Sequence, residues 1–97
     1  MPLFATTYRY AADSSEGRDA VRPTHRAYLG ELTESGRLAL SGPFVGGEDG
    51  ALLVFEADSE AAARALTDAD PFVKEGFVTE VTVREWQTVS GWLAQHV

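Results

Sequence analysis

One imidazole and one carboxylate in this sequence are placed to work together. His25 is followed by Tyr28, Leu29 and Leu32 at i+3, i+4 and i+7, so a helix through these residues turns the imidazole toward the same interior face as its apolar neighbours. Pro23 suits the first position of that helix and Gly36 its left-handed C-terminal cap, which predicts a helix over about residues 23–35. On that placement His25 lies close to the positive end of the helix dipole, a field that suits a proton-accepting imidazole. Asp70 follows a second predicted helix, against the negative end of its dipole, where a carboxylate needs another reason to be held. It directly precedes Pro71, so it is expected to cap the next turn, residues 71–75. A capped carboxylate is rigid, and rigidity is what orienting a histidine requires. The chemistry such a pair can do is general acid–base catalysis. The plainer account is a partly buried histidine satisfied by one hydrogen bond and an aspartate that only caps a turn.

Two further residues could serve the same site. Arg22 lies three residues before His25 and could offer a bidentate hold on a carboxylate or enolate, against the simpler alternative of a surface ion pair with Asp19 or Glu16. Ser41, beside Gly42 and Pro43 at the end of a predicted strand, could donate a hydrogen bond into a pocket or be an ordinary strand-end serine. Other patterns fail. Gly42, Gly46, Gly47 and Gly50 do not space as a dinucleotide fingerprint, and His25 and His96 form no metal-binding pair, so neither a cofactor nor a metal is expected. Lys74, the sole lysine, falls in a turn that reads as exposed, whereas a Schiff-base lysine needs burial.

The elements that must position these residues follow from periodicity and turn chemistry. Residues 3–10 read as a first strand and 11–17 as a loop; residues 37–41 and 51–55 read as two strands joined by the glycine-rich 45–50 turn. Asp58 or Ser59 can cap an alanine-rich helix that stops by Ala69, and residues 77–87 return to a β-rich pattern. The order is β-α-β-β-α-β, for which the common solution is the α+β, ferredoxin-like arrangement with both helices on one side of a four-stranded antiparallel sheet. The other side, expected to carry Phe4 and Tyr8, needs covering, which predicts a homodimer through the sheet face. The tail, residues 90–97, is expected to form a short helix or to swap onto a partner.

Composition narrows the class. The 97 residues suit one small domain; the 8 Lys+Arg against 15 Asp+Glu, net charge −7, argue against nucleic acid or an anionic membrane surface as partner. Zero cysteines remove disulfides, thiolate catalysis and thiolate metal sites. No apolar run approaches the roughly 20 residues that span a bilayer, and the first residues show no leader pattern, so a cytoplasmic protein is expected.

The segments Arg22-Pro23-Thr24-His25-Arg26-Ala27-Tyr28-Leu29, Gly36-Arg37-Leu38 with Ser41-Gly42-Pro43, and Asp68-Ala69-Asp70-Pro71-Phe72 together resemble the YciI-like (YCII-related) family along nearly the whole chain. The resemblance implies a dimeric ferredoxin-like fold of the dimeric α/β-barrel type, with an active site around a His–Asp pair that maps to His25 and Asp70. It implies a small-molecule ligand rather than a fixed reaction, since a related enzyme class removes chloride from a chlorinated hydroxyhydroquinone and fold relatives include muconolactone isomerases. Two functions stay open at this point: a small-molecule lyase, isomerase or hydrolase acting on a phenolic or carboxylate substrate, or a non-catalytic dimeric ligand-binding or accessory protein.

Overall fold

The computed structural model describes residues 1–96. Along the chain run β1 (Leu3–Tyr10), α1 (Ser15–Glu34), β2 (Leu38–Pro43), β3 (Gly50–Glu56), α2 (Glu60–Asp68), the single-turn α3 (Pro71–Lys74) and β4 (Val78–Trp86), then a 3-10 turn over Trp92–Gln95. The sheet order is β2-β3-β1-β4 with every neighbouring pair antiparallel, which is the ferredoxin-like topology expected from the element order.

Alternation along β1 sets which side chains meet the helices. Phe4 pairs with Phe55, Thr6 with Leu53 and Tyr8 with Ala51, and because side chains alternate across a sheet these residues share one face. Tyr8, Leu32, Leu38, Leu53 and Phe55 form the main core with Leu29, Leu66 and Val73 packed against them, so α1, α2 and α3 all cover that face. Burial of a side chain such as Leu32 or Phe55 contributes about 1.5–3 kcal/mol each. Phe4 and Tyr8 therefore belong to the helix-covered side, not to the open one where the sequence pattern puts them. The open side carries Leu40, Leu52, Val54 and Trp86 instead. The tail folds toward it: a largely apolar cavity of about 430 Å³ lies between these residues and Val89, Leu93 and Ala94.

The first helix corrects the sequence reading most. It begins eight residues before Pro23, and residues 15–17, expected to be loop, form its first turn. Gly17, read as loop, and Pro23, read as the first helical position, both lie inside the helix, and each is accommodated. A Cβ on Gly17 would sit 2.6 Å from the Phe77 ring, so the glycine lets an aromatic side chain close over the helix start. Pro23 forgoes the bond an N–H there would have made to the Asp19 carbonyl and crowds that carbonyl, yet the helix continues past it. Gly36 does adopt the left-handed conformation, φ 77°, beyond the helix end. Gly50 is required for a different reason: a Cβ there would lie 2.3 Å from the Tyr8 backbone carbonyl.

Candidate active site

Two side chains and one backbone N–H, from three elements, converge on one buried carboxylate. Asp70 is fully buried. It caps α3, its Oδ1 accepting from the Phe72 backbone N–H at 3.0 Å, which is the capping role expected from Asp-Pro. The same Oδ1 lies 2.7 Å from Nδ1 of His25 on α1, and Oδ2 accepts from the Tyr8 hydroxyl on β1 at 2.8 Å. A carboxylate with its lone pairs aimed at these donors makes charge-assisted hydrogen bonds, and they fix both its rotamer and the imidazole's.

His25 is held on its other sides as well. Its ring stacks on Phe72 with centroids 3.8 Å apart and planes within 4°. Helix α1 is itself anchored nearby, because the Tyr28 hydroxyl donates to the Leu66 carbonyl at 2.6 Å. The helix dipole does not act on the ring as expected: His25 is in the middle of a long helix, more than two turns from its N-terminus, and the dipole acts only over the first turn. The environment of the ring is set by Asp70. With Nδ1 donating to Asp70, the neutral ring carries its lone pair on Nε2.

The imidazole forms part of the wall of a cavity of about 280 Å³. Ser41 and Pro43 on β2 face it from across the sheet edge, and Tyr8, Tyr10 and Phe72 supply aromatic surface. Burial pushes the phenol of Tyr8 well above its ordinary value, and the charge of Asp70 and the hydrogen bond to it push the same way. Burial also raises Tyr10, against the opposing effect of the Arg18 guanidinium that lies 4.1 Å over its ring. Both tyrosines thus stay protonated near neutrality, so Tyr8 donates to Asp70 and is no base. Arg22 does reach the cavity, but it also makes the ion pair to Asp19 that was its simpler alternative, with its guanidinium 5.9 Å from the Phe72 ring. All four residues singled out in the sequence thus gather at one cavity, Arg22, His25 and Ser41 lining it and Asp70 directly behind the imidazole. Sequence reasoning missed Tyr8, the Phe72 stack, and the cavity-lining Arg18 and Arg26. The spacing 18, 22, 26 was visible as i, i+4, i+8, but only a helix starting before residue 18 makes it a row.

The profile of the YCII-related domain matches residues 3–87. The chain belongs to the YCII-related family. Protein YciI of Escherichia coli is 38% identical over 87 residues, covering 80% of this YCII-related chain and 89% of that protein. YjpA of Bacillus subtilis is 38% identical over 63 residues, 65% of this chain and 72% of its own. Among solved structures, 5-chloro-2-hydroxyhydroquinone dehydrochlorinase from Burkholderia phenoliruptrix, in complex with 2,5-dihydroxybenzoquinone, is similar with a TM-score of 0.77 and 26% identity over 87% of this chain and 92% of that one. An antibiotic biosynthesis monooxygenase shares the fold alone, at a TM-score of 0.56 and 15% identity over 93% of this chain and 100% of the other. The YCII-related match ends at residue 87, so the tail over the open sheet face lies outside it.

Proposed function

We propose that this chain is a small-molecule enzyme in which His25 moves a proton and Asp70 holds the imidazole in the tautomer that can do so. The observation that carries this is the 2.7 Å contact between His25 Nδ1 and a fully buried Asp70, with the imidazole in a cavity wall. Nε2 takes a proton from a bound substrate, and the imidazolium so formed faces the Asp70 carboxylate across that short bond; the proton then returns to the product or leaving group. Ser41 and the arginines that line the cavity, Arg22 among them, position the substrate. Elimination, isomerisation or hydrolysis of a phenolic or carboxylate compound fits this equipment, and the dehydrochlorinase acting on a hydroxyhydroquinone supports a single-ring phenolic substrate in particular. The chain acts as a homodimer in this reading, paired through the open sheet face, where Leu40 and Trp86 are 45% and 48% exposed.

The test is a panel of single-ring phenols and carboxylates, 5-chloro-2-hydroxyhydroquinone among them, assayed for halide release and for solvent-deuterium incorporation. The substrate that turns over should do so roughly 10²- to 10⁴-fold more slowly with His25→Ala, the usual contribution of general acid–base catalysis. Equal turnover by that variant ends the proposal.

A further inference from the structure

The chain carries net charge −7, yet among the described residues no carboxylate lines the cavity mouth; its charged lining is Arg18, Arg22 and Arg26 beside His25. Three of the eight basic residues of a strongly acidic protein thus stand at one opening, and how far each is already neutralised decides which can take an anion. The three arginines differ in freedom. They stand at four-residue steps, about 6 Å apart along the α1 axis, and the row winds outward as it climbs. Arg18 is 11% exposed and engaged, its Nε donating to Ser14 Oγ at 3.0 Å, its guanidinium stacked on Tyr10 and within 3.6 Å of Asp49. Arg22 is 31% exposed and paired with Asp19. Arg26 is exposed at the rim, next in sequence to His25, and has no acidic partner among the described residues.

We infer that Arg26, rather than Arg22, anchors the ligand's anionic group at the mouth of this cavity, and that the ligand is a single-ring or similarly small organic anion. The inference deepens the acid–base reading, on which it rests only for the part His25 plays. Size sets the first half of the ligand's description: ligand sites commonly run from about 300 to 1,000 Å³, and this one, at about 280 Å³, takes one ring rather than two. Chemistry sets the second. The inner wall of Tyr8, Tyr10, Leu29 and Phe72 is apolar and aromatic, suited to a flat ring, while the outer end offers a guanidinium fork suited to a carboxylate, phenolate or enolate. An anion held at Arg26 leaves the ring beside the imidazole, with Ser41 on the opposite wall.

The experiment uses benzoate and its uncharged amide, benzamide, titrated into the full chain at low salt and followed by backbone amide shifts. Benzoate should bind saturably and move the amides of Arg26 and Ser41; benzamide should bind roughly 10-fold more weakly or worse, as expected for loss of a charge-assisted contact. Arg26→Ala and Arg26→Gln should each weaken benzoate by roughly 10-fold, Arg26→Lys should restore part of it, and Arg22→Ala should matter less because Asp19 already holds that guanidinium. Added salt should weaken benzoate and spare benzamide. Equal binding of acid and amide, benzoate binding untouched by both Arg26 variants, or no saturable benzoate binding in the millimolar range overturns the assignment. Benzoate captured through Arg26 by a chain that transfers no proton would sink the catalytic role of His25 and leave the anion anchor standing.

Discussion

Replacing Asp70 by asparagine separates charge from shape at the centre of the site. In the wild type, Oδ1 accepts from both His25 Nδ1 and the Phe72 N–H, and Oδ2 accepts from the Tyr8 hydroxyl. The side-chain amide of the Asp70→Asn variant has one acceptor oxygen, and it must take the Oδ1 position, because an NH₂ group there would meet the Phe72 N–H donor head on. The imidazole then keeps its Nδ1–H tautomer, and the NH₂ group faces Tyr8, whose oxygen can accept in turn. What is lost is the charge. Bonds to a charged group are worth about 1.5–3 kcal/mol and neutral ones about 0.5–1.5, so the three contacts together fall by about 3 kcal/mol. Relief from burying a charge works against this loss, but three converging donors offset that burial here, so the net effect remains destabilising. For a domain of this size a loss of up to about 3 kcal/mol lowers the melting temperature by at most roughly 12–24 °C. Urea denaturation measures the stability and imidazole ¹⁵N shifts the tautomer, while turnover on the wild-type substrate should drop toward the lower end of the roughly 10²- to 10⁴-fold range, since orientation survives and only the stabilisation of the imidazolium is gone. Unchanged or higher stability would show that the carboxylate is a burden its neighbours do not offset, and an Nε2–H ring would show that the orientation argument is wrong.

Two further outcomes follow from the fold. Tyr8 titrates near 10 when unfolded and higher when folded, because of burial, then the charge of Asp70, then their hydrogen bond. The unfolded chain therefore releases that proton first as pH rises, so the stabilisation is complete below pH 10 and is lost above it, by up to about 1.4 kcal/mol per pH unit for this one group. Denaturation midpoints followed into alkali should fall less steeply in Tyr8→Phe, by one proton's share, and an identical slope would show that Tyr8 does not carry the effect. Removal of residues 88–97 should uncover Leu52 and Val54 and strengthen self-association measured by sedimentation, with a melting temperature that rises with protein concentration in both forms. A chain that stays monomeric in both forms at every concentration tested rules out pairing through the sheet face.

The element order was legible because each segment carries local chemistry that agrees with its neighbours: alternation in residues 3–10, the Ser59 cap that accepts from Ala62, the Asp-Pro start of α3. The contact between His25 and Asp70 could be anticipated only as a pairing of roles, since 45 residues separate them and no local rule sets that distance. The start of α1 was hidden for the opposite reason. Gly17 reads locally as loop and Pro23 as a helix start, but the helix runs through both, with Phe77 packed on the glycine. That one boundary hid the arginine row and put His25 at a helix end it does not occupy. Tyr8 was lost to a face assignment: alternation shows which residues of a strand go together, but not which of the two sets the helices will cover.

Asp70 has one more consequence. Strand β1, helix α1 and the turn after α2 are tied at a single point by Tyr8, His25 and the Phe72 N–H, so whatever strengthens the knot strengthens the whole chain. A compound that settles against the imidazole and firms its grip on the carboxylate stiffens the keystone of the architecture as well as filling a cleft. Heat resistance then becomes a gauge of occupancy, and a simple melting screen of metabolite libraries can search for the natural ligand before any reaction has been seen.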